Sequence, residues 1–263
     1  MRSANAIIGD PDIKMPQWLI EPWWLMGAKG IVAGPPKTHK SRIVLDFCLS
    51  IAIGGGFLSP GVANEAKRKF RVFYIQNEMP DWMLKDRLIK MVDRRKYRLM
   101  DSLYKRSENT FTFDYKVGHI PIYFHNSMKD AEKHIHQIQP DVIVVDPLYT
   151  FAVTDLISRN DIAREIAWLE RLQGIPKIKP ALIVVHHNNK ISASAGSPPS
   201  GNSMLGSVLL HGWTECAWYL SRSKGGSGVI INREFRFWKE VPQVTVEIVS
   251  GCAGEYKYGV NAI

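Results

Sequence analysis

Cysteine is scarce in this 263-residue chain. Cys48, Cys216 and Cys252 are odd in number, widely spaced and form no Cys-x-x-Cys pair. That excludes a zinc ribbon and a disulfide framework and fits a reducing compartment, so a cytoplasmic location is expected. Long apolar runs are missing too. None approaches the roughly 20 residues of a membrane-spanning helix. The longest, such as Val142–Val145, have strand length, so no membrane partner is expected. The N-terminal stretch MRSANAIIGDPDIK lacks the apolar core of a signal peptide. There is no internal repeat and no linker long enough to split the chain. Acidic residues are in deficit: 25 Asp and Glu against 34 Lys and Arg give a net charge of +9 and a pI near 9.4. Such an excess favours an anionic partner, nucleic acid first, although many basic proteins bind no polyanion.

What is present is ordinary for a globular chain: 45% hydrophobic and 22% charged residues, with a mean hydropathy of −0.14. The segment to Leu25 is rich in Pro and Trp and is expected to pack on a core without regular structure. Apolar strands and amphipathic helices then alternate. Gly30–Gly34 reads as a buried strand and Ser41–Ile53 as a helix stopped by Gly54-Gly55-Gly56. Arg71–Gln76 is a strand, and Pro80-Asp81 starts a helix to about Arg94. The basic stretch Arg94–Gly118, with Tyr97 and Tyr104 interleaved, suits a solvated helix end or a nucleic-acid or subunit contact. Ile120–Phe124, Asp141–Asp146 and Ala181–His186 are further strands; Lys129–Gln139 and Ile162–Leu172 are helices. Ser192–Ser203 is a Ser/Gly/Pro-rich loop. Strands are expected near Trp213–Leu220, Gly228–Trp238 and Gln243–Val249. This pattern predicts an α/β fold: a mostly parallel central sheet flanked by helices, with antiparallel strands added at the C-terminal edge.

The strongest motif is Gly34-Pro35-Pro36-Lys37-Thr38-His39-Lys40-Ser41, between a strand and a helix. Backbone N–H groups of such a loop, with the helix N-terminus, converge on one anion. Lys40 would reach the β- and γ-phosphates, and Ser41 would offer its hydroxyl to Mg²⁺. The usual pattern has Gly where this chain has His39, and glycine tolerates backbone conformations that histidine does not. Two strands end in carboxylates. PDVIVVDP ends in Asp146, suited to the Mg²⁺ hydration shell, and FYIQNE ends in Glu78, suited to orient an attacking water. Ligands of open parallel sheets bind off the carboxyl ends of the strands, and Lys40, Glu78, Asp146 and His187 all fall just past such ends. No Cys or carboxylate cluster adjoins His186 and His187, which argues against a metal there.

These residues carry a resemblance. WLIEPWWLMGAKGIVAGPPKTHKSRIVLDFCLSIAIGG, RVFYIQNEMPDWMLKDRL, PDVIVVDPLYTF, ALIVVHHNNK, the Gly-Ser loop and INREFRFWKEVPQVTVEI together resemble a RecA-like P-loop ATPase of the RepA-type branch, near the DnaB-type hexameric helicases. The resemblance implies a RecA-like ATPase domain over 28–263 and an N-terminal segment, 1–27, that packs on the core or on a neighbouring subunit. It implies ATP and Mg²⁺ as cofactors, held by Gly34 through Ser41 and Arg42, with Asp146 as the metal acid of the second motif and Glu78 as catalytic base. His187 falls at the γ-phosphate sensor. Asn188, Asn189 and Lys190 open a mobile loop that would contact nucleic acid, and Arg236, then Arg233, are candidates for a finger reaching the neighbour's γ-phosphate.

The function so implied is a ring-forming ATPase, with a hexamer expected, acting on single-stranded DNA, as a RepA-like replicative helicase or translocase of a plasmid, phage or mobile element. Recombinase-like filaments and a nucleotide-binding module with little hydrolysis remain open, the second because of His39; a nucleotide kinase is disfavoured because no lid is evident. No primase, origin-binding or winged-helix segment is recognisable, so loading is expected from a loader, primase or initiator protein or from ring assembly itself.

Overall fold

The alternation of apolar runs with amphipathic stretches condenses into one layered sheet. A computed structural model describes residues 2–15, 17–58, 66–104, 120–127, 130–151, 159–187, 207–223, 228–248 and 256–259. In chain order the elements are α1 (Ala4–Ile8), β1 (Trp18–Ile20), β2 (Trp24–Leu25), β3 (Lys29–Gly34), α2 (Lys40–Ile53), β4 (Val72–Gln76), α3 (Asp81–Tyr104), β5 (Ile122–His125), α4 (Ala131–Ile138), β6 (Val142–Asp146), a one-turn 3-10 helix (Leu148–Thr150), α5 (Arg159–Gly174), β7 (Ala181–His187), α6 (Ser207–Trp213), β8 (Cys216–Arg222), β9 (Gly228–Phe235), β10 (Val244–Ile248) and β11 (Tyr256–Gly259).

The main sheet has the order β11-β10-β9-β8-β3-β7-β6-β4-β5. From β8 to β5 every neighbouring pair is parallel; β9, β10 and β11 are antiparallel additions at the other end. The mostly parallel sheet with antiparallel C-terminal strands is therefore the one the sequence predicts. Strand alternation divides the core between two faces. Val32, Tyr74, Val144, Val185 and Trp218 pack with α2 on one; Ile31, Phe73, Ile75, Val145 and Val184 pack with α4 and α5 on the other. Because both faces are covered, these strands read as unbroken apolar runs.

Two strands approach so closely that side chains are excluded. A Cβ on Gly30 would lie 1.7 Å from the Cys216 carbonyl oxygen, and one on Gly34 2.5 Å from that of Leu220. Both glycines thus let β8 lie against β3, and Gly34 does so where the phosphate loop begins.

Three elements differ from expectation. The Pro/Trp-rich N-terminal segment has regular structure: β1 and β2 pair antiparallel, Trp18 opposite Leu25. The ribbon lies over an aromatic cluster in which Trp23 and Trp24 meet Trp218 edge-on at 5.5 Å, and the Trp218 indole N–H donates to the Trp23 carbonyl at 2.9 Å. Trp213 ends a helix rather than starting a strand. Thr214 closes that turn, its N–H and hydroxyl both donating to the His211 carbonyl. Finally, α3 runs beyond Arg94 to Tyr104; the side chains of the Arg94–Arg106 cluster lie outside the described residues. Among the described residues, no helix is long and apolar enough to cross a membrane.

Candidate active site

The parallel strands all point their carboxyl ends to one edge, and the predicted residues collect there. β3 ends at Gly34, followed by the loop to Lys40, where α2 starts. Lys37 and His39 both adopt left-handed backbone conformations, with φ of 63° and 60°. For a β-carbon-bearing residue this costs about 1 kcal/mol, so His39 is accommodated through strain. Its side chain makes no capping bond to α2, which leaves the N–H groups of the first turn available to an anion. The buried Thr38 hydroxyl donates to the Pro35 carbonyl at 2.8 Å and tightens the loop.

Lys40 is 5% exposed, and its ammonium donates to the carbonyls of Gly34 at 3.0 Å and Pro35 at 2.9 Å. The ammonium thus lies along the rim of the phosphate loop. Burial brings its pKa down to about 8, with Asp146 and Glu78 pulling upward. Next to it, the Ser41 hydroxyl donates to Asp146 Oδ1 at 2.9 Å, joining residues 105 positions apart through the register of β3, β7 and β6. Burial raises the Asp146 carboxyl to about 6, against the lowering effect of hydrogen bonds from Tyr74 and Ser41. The buried Tyr74 hydroxyl reaches Asp146 Oδ2 at 2.5 Å.

Glu78 lies two residues past the end of β4. The loop is clamped by Gln76, whose side-chain amide donates to the Met79 carbonyl and accepts from the Met79 N–H. Partial burial raises the Glu78 carboxyl above its ordinary value, and Lys40 lowers it. The Tyr149 hydroxyl donates to Glu78 Oε1. The backbone of His187 pairs in register with Gly34, so β7 ends beside the phosphate loop. The His187 side chain lies outside the described residues, as do Asn188, Asn189 and Lys190.

The two arginines separate. β9 runs antiparallel to β8, so its end lies at the sheet edge opposite the phosphate loop. Arg233 is 6% exposed and donates to the carbonyls of Pro22 at 3.1 Å and Pro242 at 2.6 Å, with its guanidinium 4.3 Å from the Trp23 ring centre. Arg233 pins the N-terminal ribbon to the sheet and is enclosed there. Arg236 is exposed and donates to the Gly212 carbonyl.

Sequence reasoning missed Tyr74, Tyr149 and Arg222. Tyr74 is one more large residue in an apolar strand, and Tyr149 follows Pro147-Leu148 in a short turn, so neither carries a local signal. Arg222 ends β8 and lies 3.5 Å from the Lys37 carbonyl. Together with Arg42 and Arg87 it lowers the His39 pKa, after burial as the main cause. A basic residue closing an apolar strand beside β3 is the signal that could have marked it.

The donors fit a magnesium nucleotide. A lysine ammonium, a helix start with no side-chain cap and basic neighbours match phosphate oxygens. A hydroxyl next to a carboxylate matches a hydrated divalent ion shared with those oxygens. Among the described residues no group of three His, Cys, Asp or Glu could hold a metal ion.

Three comparisons bear on this geometry. The AAA domain family profile matches residues 5–193. A KaiC-like protein from the hyperthermophilic archaeon Pyrococcus horikoshii superposes with a TM-score of 0.56 over 92% of this chain and 93% of its own, at 12% identity. At that identity the likeness shows the fold, a RecA-like α/β architecture. No curated protein sequence matches.

Proposed function

The chain belongs to the AAA domain family of P-loop NTPases, and on that premise we propose that it is a magnesium-dependent ATPase that assembles as a ring, a hexamer in the favoured reading, and acts on single-stranded DNA as a RepA-like helicase or translocase. The observation that carries the catalytic half is the meeting of Lys40, Ser41 and Asp146 at one sheet edge, with Glu78 turned toward the same charges. Lys40 would neutralise charge on the β- and γ-phosphates, and the N–H groups of α2 would hold them. Mg²⁺ would supply charge neutralisation of the phosphate oxygens, with Ser41 and Asp146 as its protein partners. Glu78 would take the proton from the attacking water.

The oligomeric and DNA-directed half rests on the resemblance and on two placements. Arg236 faces outward at the edge far from its own phosphate loop, where a neighbouring subunit's nucleotide would have to lie. β7 ends beside Gly34, so the described chain reaches the phosphate loop at His187, and a loop from Asn188 onward would sense departure of the phosphates. The test is mass photometry of the full chain with a non-hydrolysable ATP analogue and a single-stranded oligonucleotide, together with ATP turnover with and without that oligonucleotide. Six-subunit closed particles and DNA-stimulated turnover are expected. A monomer under every condition removes the shared-site mechanism, and filaments favour the recombinase-like reading. His39 in its strained conformation favours the third reading, a nucleotide-binding module; tight ATP binding without phosphate release would establish it.

The Lys40 ammonium also fixes a pH dependence. Its folded pKa of about 8 lies below the unfolded value of 10.5, so the nucleotide-free fold gains stability as pH rises from 8 to 10.5. A phosphate at Nζ pulls the pKa back up, so binding takes up a proton above pH 8. ATP affinity is therefore expected to be flat from pH 7 to 8 and to fall above that, by up to about tenfold per pH unit. A fluorescent-nucleotide titration to pH 9.5 measures it, and a flat profile would show that Lys40 does not meet the phosphates.

A further inference from the structure

Glu78 has a fixed backbone but a long side chain. Gln76, 5% exposed, holds the loop through two hydrogen bonds to Met79, yet nothing in that clamp orients the carboxylate at the end of three rotatable bonds. A general base loses effect when its carboxylate samples many directions, because proton transfer needs hydrogen-bond geometry to one water. Some other group has to aim it.

We propose that Tyr149 is a positioning residue for hydrolysis, aiming Glu78 at the attacking water. Its hydroxyl donates to Glu78 Oε1, which leaves Oε2 to accept from water. The arm that delivers the hydroxyl is rigid. Leu148 and Phe151, on either side, are anchored in the core at 0% and 9% exposure, and the Thr150 hydroxyl and N–H both donate to the Pro147 carbonyl. The ring itself is half-exposed, 48%, so it is not a core-packing group; it is held at the site's mouth with its polar end inward.

This turn leaves directly from Asp146, so one short segment carries the metal acid and aims the base. A second phenol completes the symmetry of the arrangement: Tyr74 holds Asp146 from inside the sheet as Tyr149 holds Glu78 from outside. Apart from Tyr149, the charged groups acting on Glu78 among the described residues are Lys40 of α2 and Asp146 of β6. Neither restrains its direction as a hydrogen bond does. Tyr149→Phe therefore removes orientation while leaving the field in place.

The proposal rests on Glu78 being the base, and the experiment separates the two. Tyr149→Phe, Glu78→Gln and the double variant are compared in the full chain by steady-state and single-turnover ATP hydrolysis, with a fluorescent ATP analogue reporting binding. The expected result for Tyr149→Phe is a roughly tenfold fall in kcat, part of the 10²–10⁴-fold general-base contribution, with KM and analogue affinity within about twofold of wild type. In the Glu78→Gln background the same change is expected to cost nothing further, since there is no base left to aim. An unchanged or raised kcat in Tyr149→Phe, with Glu78→Gln inactive, overturns the positioning role and leaves the base in place. An equal loss in both backgrounds also overturns it. Wild-type turnover in Glu78→Gln removes the base itself, and the proposal with it. Retained analogue binding in Tyr149→Phe excludes a folding defect.

Discussion

Lys40→Ala is expected to lower ATP turnover by about 10²–10³-fold, the scale of losing one preorganised charge at a reacting oxyanion, and to leave the fold standing. The ammonium is buried against the carbonyls of Gly34 and Pro35, and burial disfavours its charged form. Truncation therefore removes a group that costs the nucleotide-free fold stability, and α2 keeps its packing through Ile43, Val44 and Phe47. Of the two carbonyls it leaves, that of Gly34 is buried and that of Pro35 part-buried, so the lost donor offsets part of this gain. Phosphate release measured with thermal melting separates the effects: turnover should collapse while the melting temperature holds or rises. Undiminished turnover would sink the assignment of this loop as the phosphate site.

The second large effect concerns the fold. Gly30→Ala is expected to destabilise by about 3 kcal/mol or more, the upper range of overpacking, which corresponds to a melting-temperature drop on the order of 6–12 °C for a chain of this size. The new methyl would sit 1.7 Å from the Cys216 carbonyl oxygen and 2.7 Å from its carbonyl carbon. These are backbone atoms of a paired strand, in register with Gly30 itself, so relief requires prying β8 from β3. Gly174→Ala is the control, since nothing lies within 4 Å of its added carbon. A Gly30→Ala protein melting like wild type would mean that β8 does not pair with β3 as described.

The sheet was legible because its strands are buried on both sides. Val142–Val145 offers no polar alternation, and only a doubly covered strand tolerates that. The phosphate loop was legible because its chemistry is local: lysine and serine must follow a turn and start a helix. The pairing of Ser41 with Asp146 depends on strand order, and the sequence supplied the two ends without the 2.9 Å between them. Trp213 was misplaced because an apolar residue next to an apolar strand extends the run; the break lies in the backbone bonds of Thr214. The ribbon of Trp18–Leu25 was missed because two- and three-residue strands have no periodicity, and their pairing exists only over Trp218 and Arg233. The burial of Arg233 was not legible because its partners are carbonyls, which every residue has.

The distribution of indoles gives this chain a spectroscopic property. Trp18, Trp23, Trp24, Trp213 and Trp218 are buried, whereas Trp82, early in α3, is 69% exposed. Buried indoles emit at shorter wavelength than hydrated ones, so the red edge of the intrinsic emission belongs to Trp82, four residues past Glu78. Its quenching by iodide would report movement of the α3 start without any attached dye, with the partly buried Trp168 and Trp238 as a weaker second contribution.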